Sequence, residues 1–132
     1  RAQILVGDIW AAYGRQTTVG NTGCNVFSFR DINELTMFAD YRVPQLLREL
    51  GIMKYDSSLA GRIDNLIEIP CGSQEEVEIR ACTIIAVDRI QKALLKKGVE
   101  LLAIEVDWLL WQRGEAMKDH LRPHHRTSTI YY

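Results

Sequence analysis

The chain has 132 residues, of which 47% are hydrophobic and 25% charged, with a formal net charge of −1. That is enough for one domain with a sizeable core and too little for two. Near-neutrality argues against a broad electrostatic grip on nucleic acid or on an anionic membrane, but leaves room for a small anion held by one or two basic residues.

In chain order, residues 1–13 carry a helical pattern in which Ile4, Leu5, Asp8, Ala11 and Ala12 share one face, so Asp8 interrupts an apolar stripe or sits at its wet edge. Because the chain opens on Arg1 inside this helix and without Met, it is expected to be part of a longer protein. No signal peptide is expected from the pattern that opens the chain. Gly14, Gly20, Asn21, Thr22 and Gly23 give the stretch 14–30 a loop composition, with a short extended piece expected over Val26 to Phe29. Asp31 or Asn33 can cap a short helix running toward Phe38.

Pro44 suits the first turn of a new helix and is expected to hold Val43 outside helical geometry. That helix carries Leu46, Leu47 and Leu50 and stops at Gly51; a second runs from Ser57 to about Leu66, so the two form a helical hairpin. Pro70-Cys71-Gly72 breaks the chain. Ser73 and Glu76 then fit a capping box for the longest helix, which runs to about Lys97 and closes at Gly98. Val77, Ala81, Ile84 and Leu95 lie near one face of it, widened by Ile79, Ala86, Ile90 and Leu94. A last helix covers Leu101 to Gln112, with Ile104, Asp107, Trp108 and Trp111 on one face. The tail from Arg122 is polar, then β-prone over Thr129-Ile130-Tyr131-Tyr132. The fold class is therefore all-α: residues 1–132 form a single compact multi-helix domain with minor extended pieces.

Cys24, Cys71 and Cys82 show no CxxC spacing. This disfavours a disulfide framework or a zinc site and favours a reducing, cytoplasmic location. No apolar run is long enough to span a bilayer. Adjacent His124 and His125 do not share a helix face, and no HExxH, Walker-type loop, nucleophile elbow or GxGxxG occurs, so neither metal nor cofactor is expected.

The chemistry-bearing pattern is a set of carboxylates among apolar residues: Asp8, Asp40 and Asp107. Asp40 lies in Leu35-Thr36-Met37-Phe38-Ala39-Asp40-Tyr41-Arg42-Val43-Pro44. A carboxylate there loses hydration, which is tolerated with partners or where a perturbed acid is needed. Either the three aspartates line a polar pocket suited to hydrolysis, or each is a buried cap or pairs with Arg42, Arg80 or Arg126. Glu76 and Arg80 are spaced for an ion pair on a solvated helix face. Trp108 and Trp111 serve as core residues or as a wall for a flat heterocycle. The fork of Arg126 suits phosphate.

Several of these segments, in this order, resemble the queuosine salvage protein family: Arg1-Ala2-Gln3-Ile4-Leu5-Val6; Leu35 to Gln45; Glu76-Val77-Glu78-Ile79-Arg80; Asp107-Trp108-Leu109-Leu110-Trp111; and His125-Arg126-Thr127 with closing Ile130-Tyr131-Tyr132. Gln112 and Ser128 depart from residues frequent in that family. The resemblance implies a hydrolase that cleaves the N-glycosidic bond of queuosine 5′-monophosphate and releases queuine for tRNA modification. It implies a helical fold similar to helix-hairpin-helix DNA glycosylases. It also implies that this chain is the C-terminal portion of a longer hydrolase, whose N-terminal portion completes it. The family's catalytic aspartate falls on Asp40. A second pocket aspartate falls on Asp8, and by residue type Phe38, Tyr41, Arg42, Asp107, Trp111 and Arg126 are substrate-binding candidates. The alternative is a non-catalytic helical binding module, or a family member that has lost activity.

Overall fold

A computed structural model describes residues 2–15 and 27–130. The expected loop glycines at 20 and 23, Cys24, the start of the Val26–Phe29 piece and the closing Tyr131-Tyr132 lie outside the described residues. Five α-helices occur in the order α1 (Ala2–Ala12), α2 (Arg42–Glu49), α3 (Ser57–Asp64), α4 (Gln74–Lys96) and α5 (Ala103–Ala116). Short 3-10 turns sit at Ile32–Glu34 and Lys118–His120, and the described residues contain no strand. The chain divides into two compact units, Arg1–Thr36 and Met37–Tyr132.

In the first unit, α1 buries Gly7 and Trp10. Leu5, Asp8 and Ala12 are exposed, so the buried stripe runs through Gly7 and Trp10 rather than through the face that carries Asp8. Gly14 takes the left-handed conformation (φ 90°) that ends the helix. The Tyr13 ring then stacks on Phe27 with centroids 4.0 Å apart.

In the second unit, α2 is the central element, with every residue from Arg42 to Arg48 buried. It packs against α4 and α5, which also pack against each other. Val43, Leu47, Met37, Met53, Ala86, Val87 and Val106 form the main core. A second cluster joins Leu59, Ile63, Ile69 and Ile79, and Tyr55 packs against both. Val43 is helical, contrary to the sequence expectation. Its amide donates to Asp40 Oδ1 at 2.9 Å and its side chain is fully buried, and together these offset the steric bias against helix before proline. Pro44 follows in the first turn, where its missing N–H costs nothing.

Gly51 (φ 71°) turns the chain after α2, and the connection continues to Asp56, which caps α3 through the amides of Ser58 and Leu59. Arg48 grips Asp64 through two bonds of 2.7 and 2.9 Å, tying α3 back to α2. Ser73 caps α4 as expected, but the returning Glu76 carboxylate reaches Gly72 N at 2.6 Å, one residue beyond a standard box. The buried stripe of α4 is Glu76, Ile79, Thr83, Ala86 and Val87, while Val77 and Leu95 face out. The last helix extends beyond the expected Gln112 to Ala116, through a buried Gly114. Its first turn is closed by the Leu102 amide donating to Glu105 at 3.0 Å. The tail is not a strand over its described residues. The Arg126 carbonyl accepts from Ile69 N at 2.8 Å, and Ser128 N donates to Glu68 at 3.0 Å.

Candidate functional site

The segment Phe38-Ala39-Asp40 is extended, and three helices fix it in place. Phe38 N donates to Asp107 Oδ2 on α5 at 2.9 Å. The Ala39 carbonyl accepts from Arg80 Nη1 on α4 at 2.9 Å. Asp40 Oδ1 accepts from Val43 N on α2. The first two bonds link residues 69 and 41 positions apart, so only the folded chain brings them together; the third is a local cap across three positions.

Asp40 is therefore a helix cap through one oxygen. Its other oxygen, Oδ2, is buried and has no hydrogen-bond partner among the described residues. Burial pushes its acid above the ordinary carboxylate range, while the amides at the start of α2 and the Arg42 charge pull it back. Asp107 is only 5% exposed. Burial pushes it up to about 7; the Phe38 amide opposes this and the Asp40 charge adds to it. Two carboxylates in one poorly hydrated region thus differ in their readiness to ionise. Asp40 has the helix N-terminus to hold a negative charge, and Asp107 does not.

Arg80 is held by Glu76, whose Oε1 accepts from Nε at 2.8 Å. Glu76 is buried, which overturns the expectation of a solvated pair. Burial alone would raise its acid, but the Gly72 amide and Arg80 hold it below the usual range. His125 is buried beside these groups; burial, His124 and Arg80 push it down to about 4, against the pull of Glu76.

Arg42 is buried and committed: Nε donates to Glu115 and Nη1 to Gln45, both at 2.6 Å. Its guanidinium also lies 5.3 Å from the Tyr41 ring centre, and Tyr41 packs on the His124 ring at 4.6 Å. Arg42, Gln45, Lys118, His124 and Arg126 line a cleft of about 360 Å³, which also takes in Asp119. Lys118 and Arg126 are exposed and have no ion-pair partner among the described residues.

The second unit thus brings together Phe38, Asp40 and Asp107, and separately Arg42 and Arg126. Trp111 is 44% exposed, and Asp8 is exposed on α1 in the other unit. Sequence reasoning missed the anchoring role of Glu76 and Arg80, for which the only local signal was their four-residue spacing. No group of three His, Cys, Asp or Glu side chains among the described residues is placed to hold a metal. None of the described helices is long and apolar enough to cross a membrane.

A protein of Dictyostelium discoideum is 52% identical over 132 residues, covering all of this chain and 39% of the relative. A Sphaerobacter thermophilus protein is 47% identical over the whole chain and 38% of its own length, and a Mus musculus protein 38% identical over the whole chain and 39% of its own. All three are named queuosine 5′-phosphate N-glycosylase/hydrolase. The chain thus spans about 39% of the length of the curated relatives it matches. With residues 1–132 all matched by the family described as "Queuosine salvage protein", the chain belongs to the queuosine salvage protein family.

Proposed function

We propose that this chain carries the catalytic carboxylate of a hydrolase that cleaves the N-glycosidic bond of queuosine 5′-monophosphate and releases queuine for salvage into tRNA modification. Family membership and the names of the relatives support the substrate class. The observation that carries the catalytic assignment is Asp40 itself, with Oδ1 locked on the Val43 amide and Oδ2 buried without a hydrogen-bond partner among the described residues.

Cleavage of a nucleoside C–N bond develops oxocarbenium character on the sugar. A fixed carboxylate stabilises that charge and orients or deprotonates the attacking water. Asp40 needs no reorganisation for this, because the cap holds it rigid. The leaving base is a 7-deazaguanine, which lacks N7, so its departure is helped by hydrogen bonds or protonation elsewhere on the ring. The 5′-phosphate is assigned to the cleft of Lys118, His124 and Arg126. Support for this is the two exposed cations there and the contact of Tyr41, next to Asp40, with His124. Phe38, Tyr41 and Trp111 are the aromatic candidates for packing the base. The exposed thiols of Cys71 and Cys82 support a reducing, cytoplasmic setting.

The test is Asp40→Asn in the full-length protein. Asparagine caps a helix about as well as aspartate, so the fold is kept while the charge is lost; alanine would also forfeit about 1 kcal/mol of capping. Base release from queuosine 5′-monophosphate, followed by liquid chromatography, should fall by at least about a hundredfold with an unchanged circular dichroism spectrum. Normal turnover by Asp40→Asn removes the assignment.

A further inference from the structure

Leu66 breaks two local rules at once. It follows Asn65, the residue that ends α3. Its backbone takes the left-handed conformation (φ 61°), in which glycine or asparagine usually closes a helix and a bulky side chain is an outlier. The turn is complete: Leu66 N donates to the Ile63 carbonyl and Ile67 N to the Arg62 carbonyl, both at 2.9 Å. It needs the conformation, then, but not the leucine. The side chain is 47% exposed and belongs to neither core cluster, so burial does not account for it either. What it does reach is the cleft of about 360 Å³, where with Leu121 and Pro123 it supplies apolar lining beside the cations Arg42, Lys118 and Arg126.

We infer that Leu66 is a specificity-determining residue, an apolar wall that makes the cleft favour the 5′-phosphorylated substrate over the free nucleoside. This rests on the reading that puts the 5′-phosphate in this cleft. Lys118 and Arg126 are exposed, and an exposed cation holds an anion weakly because water screens both. A hydrocarbon wall beside them keeps water from one side of the cleft. It lowers the local dielectric and concentrates the field of the cations on an anion that enters. Asparagine or glycine, the residues suited to the turn, leave that side wet. The strained backbone of Leu66 is thus tolerated for the cleft and not for the helix end, as strained residues are at other binding sites.

Two substitutions in the full-length protein separate the wall from the turn. Leu66→Asn suits the left-handed position, so it keeps the helix end while replacing the wall with a polar group. Its thermal midpoint should stay within about 2 °C of the parent. KM for queuosine 5′-monophosphate should rise about tenfold with kcat within about threefold, the pattern of lost uniform binding. Free queuosine brings no phosphate to the cleft, and its kcat/KM should stay within about twofold. The preference for the phosphorylated substrate then shrinks about tenfold, whereas damage to the fold lowers kcat/KM for both substrates alike. Leu66→Met restores a wall of similar volume and should bring KM back to within about threefold of the parent.

If Leu66→Asn keeps the parent's preference between the two substrates, the wall plays no part in recognising the phosphate and the inference is overturned. It is overturned equally if the thermal midpoint of Leu66→Asn drops well below the parent's, if both substrates lose kcat/KM together, or if Leu66→Met binds as poorly as Leu66→Asn. In those cases the leucine serves the fold. Failure of the underlying reading shows elsewhere. Arg126→Gln, assayed on the same two substrates, then keeps the parent's preference, because the phosphate lies outside this cleft.

Discussion

Arg80 donates to the carbonyl oxygen of Ala39 at 2.9 Å, one residue before the candidate catalytic aspartate. The same guanidinium is held by Glu76, whose side chain is only 4% exposed. An i,i+4 ion pair is worth little on a wet helix surface. Here the pair is half-enclosed and carries a second duty, fixing the backbone of another segment.

Removing one partner of a buried pair strands the other charge. Arg80→Ala should therefore lower stability by about 3 kcal/mol and slow base release, since both the Glu76 partner and the Ala39 anchor vanish. Arg80→Lys keeps the charge without the fork, and should cost less stability but still reduce kcat. Urea unfolding and a turnover assay on the same preparations check this. An Arg80→Ala protein as stable as the parent contradicts the buried-pair account.

Gly114 marks a second contact between helices. A Cβ built there would come within 2.7 Å of Arg42 Cγ and 2.9 Å of Cδ. These atoms belong to the middle of a buried side chain bound at its far end to Glu115 and Gln45, so the stem has little freedom to move. Alanine gains about 1 kcal/mol in helix propensity. Overpacking costs about 1–3 kcal/mol, so Gly114→Ala should be net destabilising. Thermal unfolding gives the sign. In a double-mutant cycle the penalty should shrink when Arg42 is also replaced by alanine, and an unchanged penalty would place the clash elsewhere.

Gly114 also shows how far the sequence could be read. By the sequence pattern α5 ends at Gln112, two residues short of this glycine. It runs on because the missing side chain makes room for Arg42, a contact 72 positions away that no local pattern carries. Local chemistry was legible. Ser73 and Gly51 act through neighbours within a few residues, and both do what their residue types suggest. The long helix misled in another way: α4 is rich enough in apolar residues to support two stripes, and tertiary packing chose the one with Glu76, Ile79 and Thr83. Asp40 stood out because a charge among Leu, Met and Phe is conspicuous. Asp8 stood out for the same reason yet is exposed, since its stripe is not the buried face of α1.

His125 is 2% exposed, and its burial, with His124 and Arg80 nearby, pushes its ionisation from the ordinary imidazole value of 6.5 down to about 4. The unfolded chain therefore takes up a proton that the folded chain refuses. Stability contributed by this site is complete above about pH 6.5 and is lost as pH falls toward about 4, up to about 3 kcal/mol in all. In His125→Gln that acid-side loss should flatten. Denaturant unfolding at about pH 7 and about pH 5 measures it, and equal slopes for parent and variant would rule out His125 as the source.

Asp107 carries the opposite sign. Its folded-state ionisation, near 7, lies above the ordinary value of 3.8, so the folded chain keeps a proton that the unfolded chain has released. Stability is then highest in acid and falls as pH rises from about 4 to about 7, after which the full penalty remains. Asp107→Asn accepts from Phe38 N and cannot ionise. Whatever fixed cost its amide brings is the same at every pH, so the informative quantity is the difference between variant and parent along the pH axis. That difference should move in favour of the variant between about pH 5 and about pH 8, by roughly 1 kcal/mol or more, because each pK unit of mismatch is worth about 1.4 kcal/mol. Urea titrations of both proteins at the two pH values measure it without reference to turnover. A constant difference would mean that Asp107 ionises in the folded protein as it does in the unfolded chain, and that its burial beside Asp40 is relieved by water.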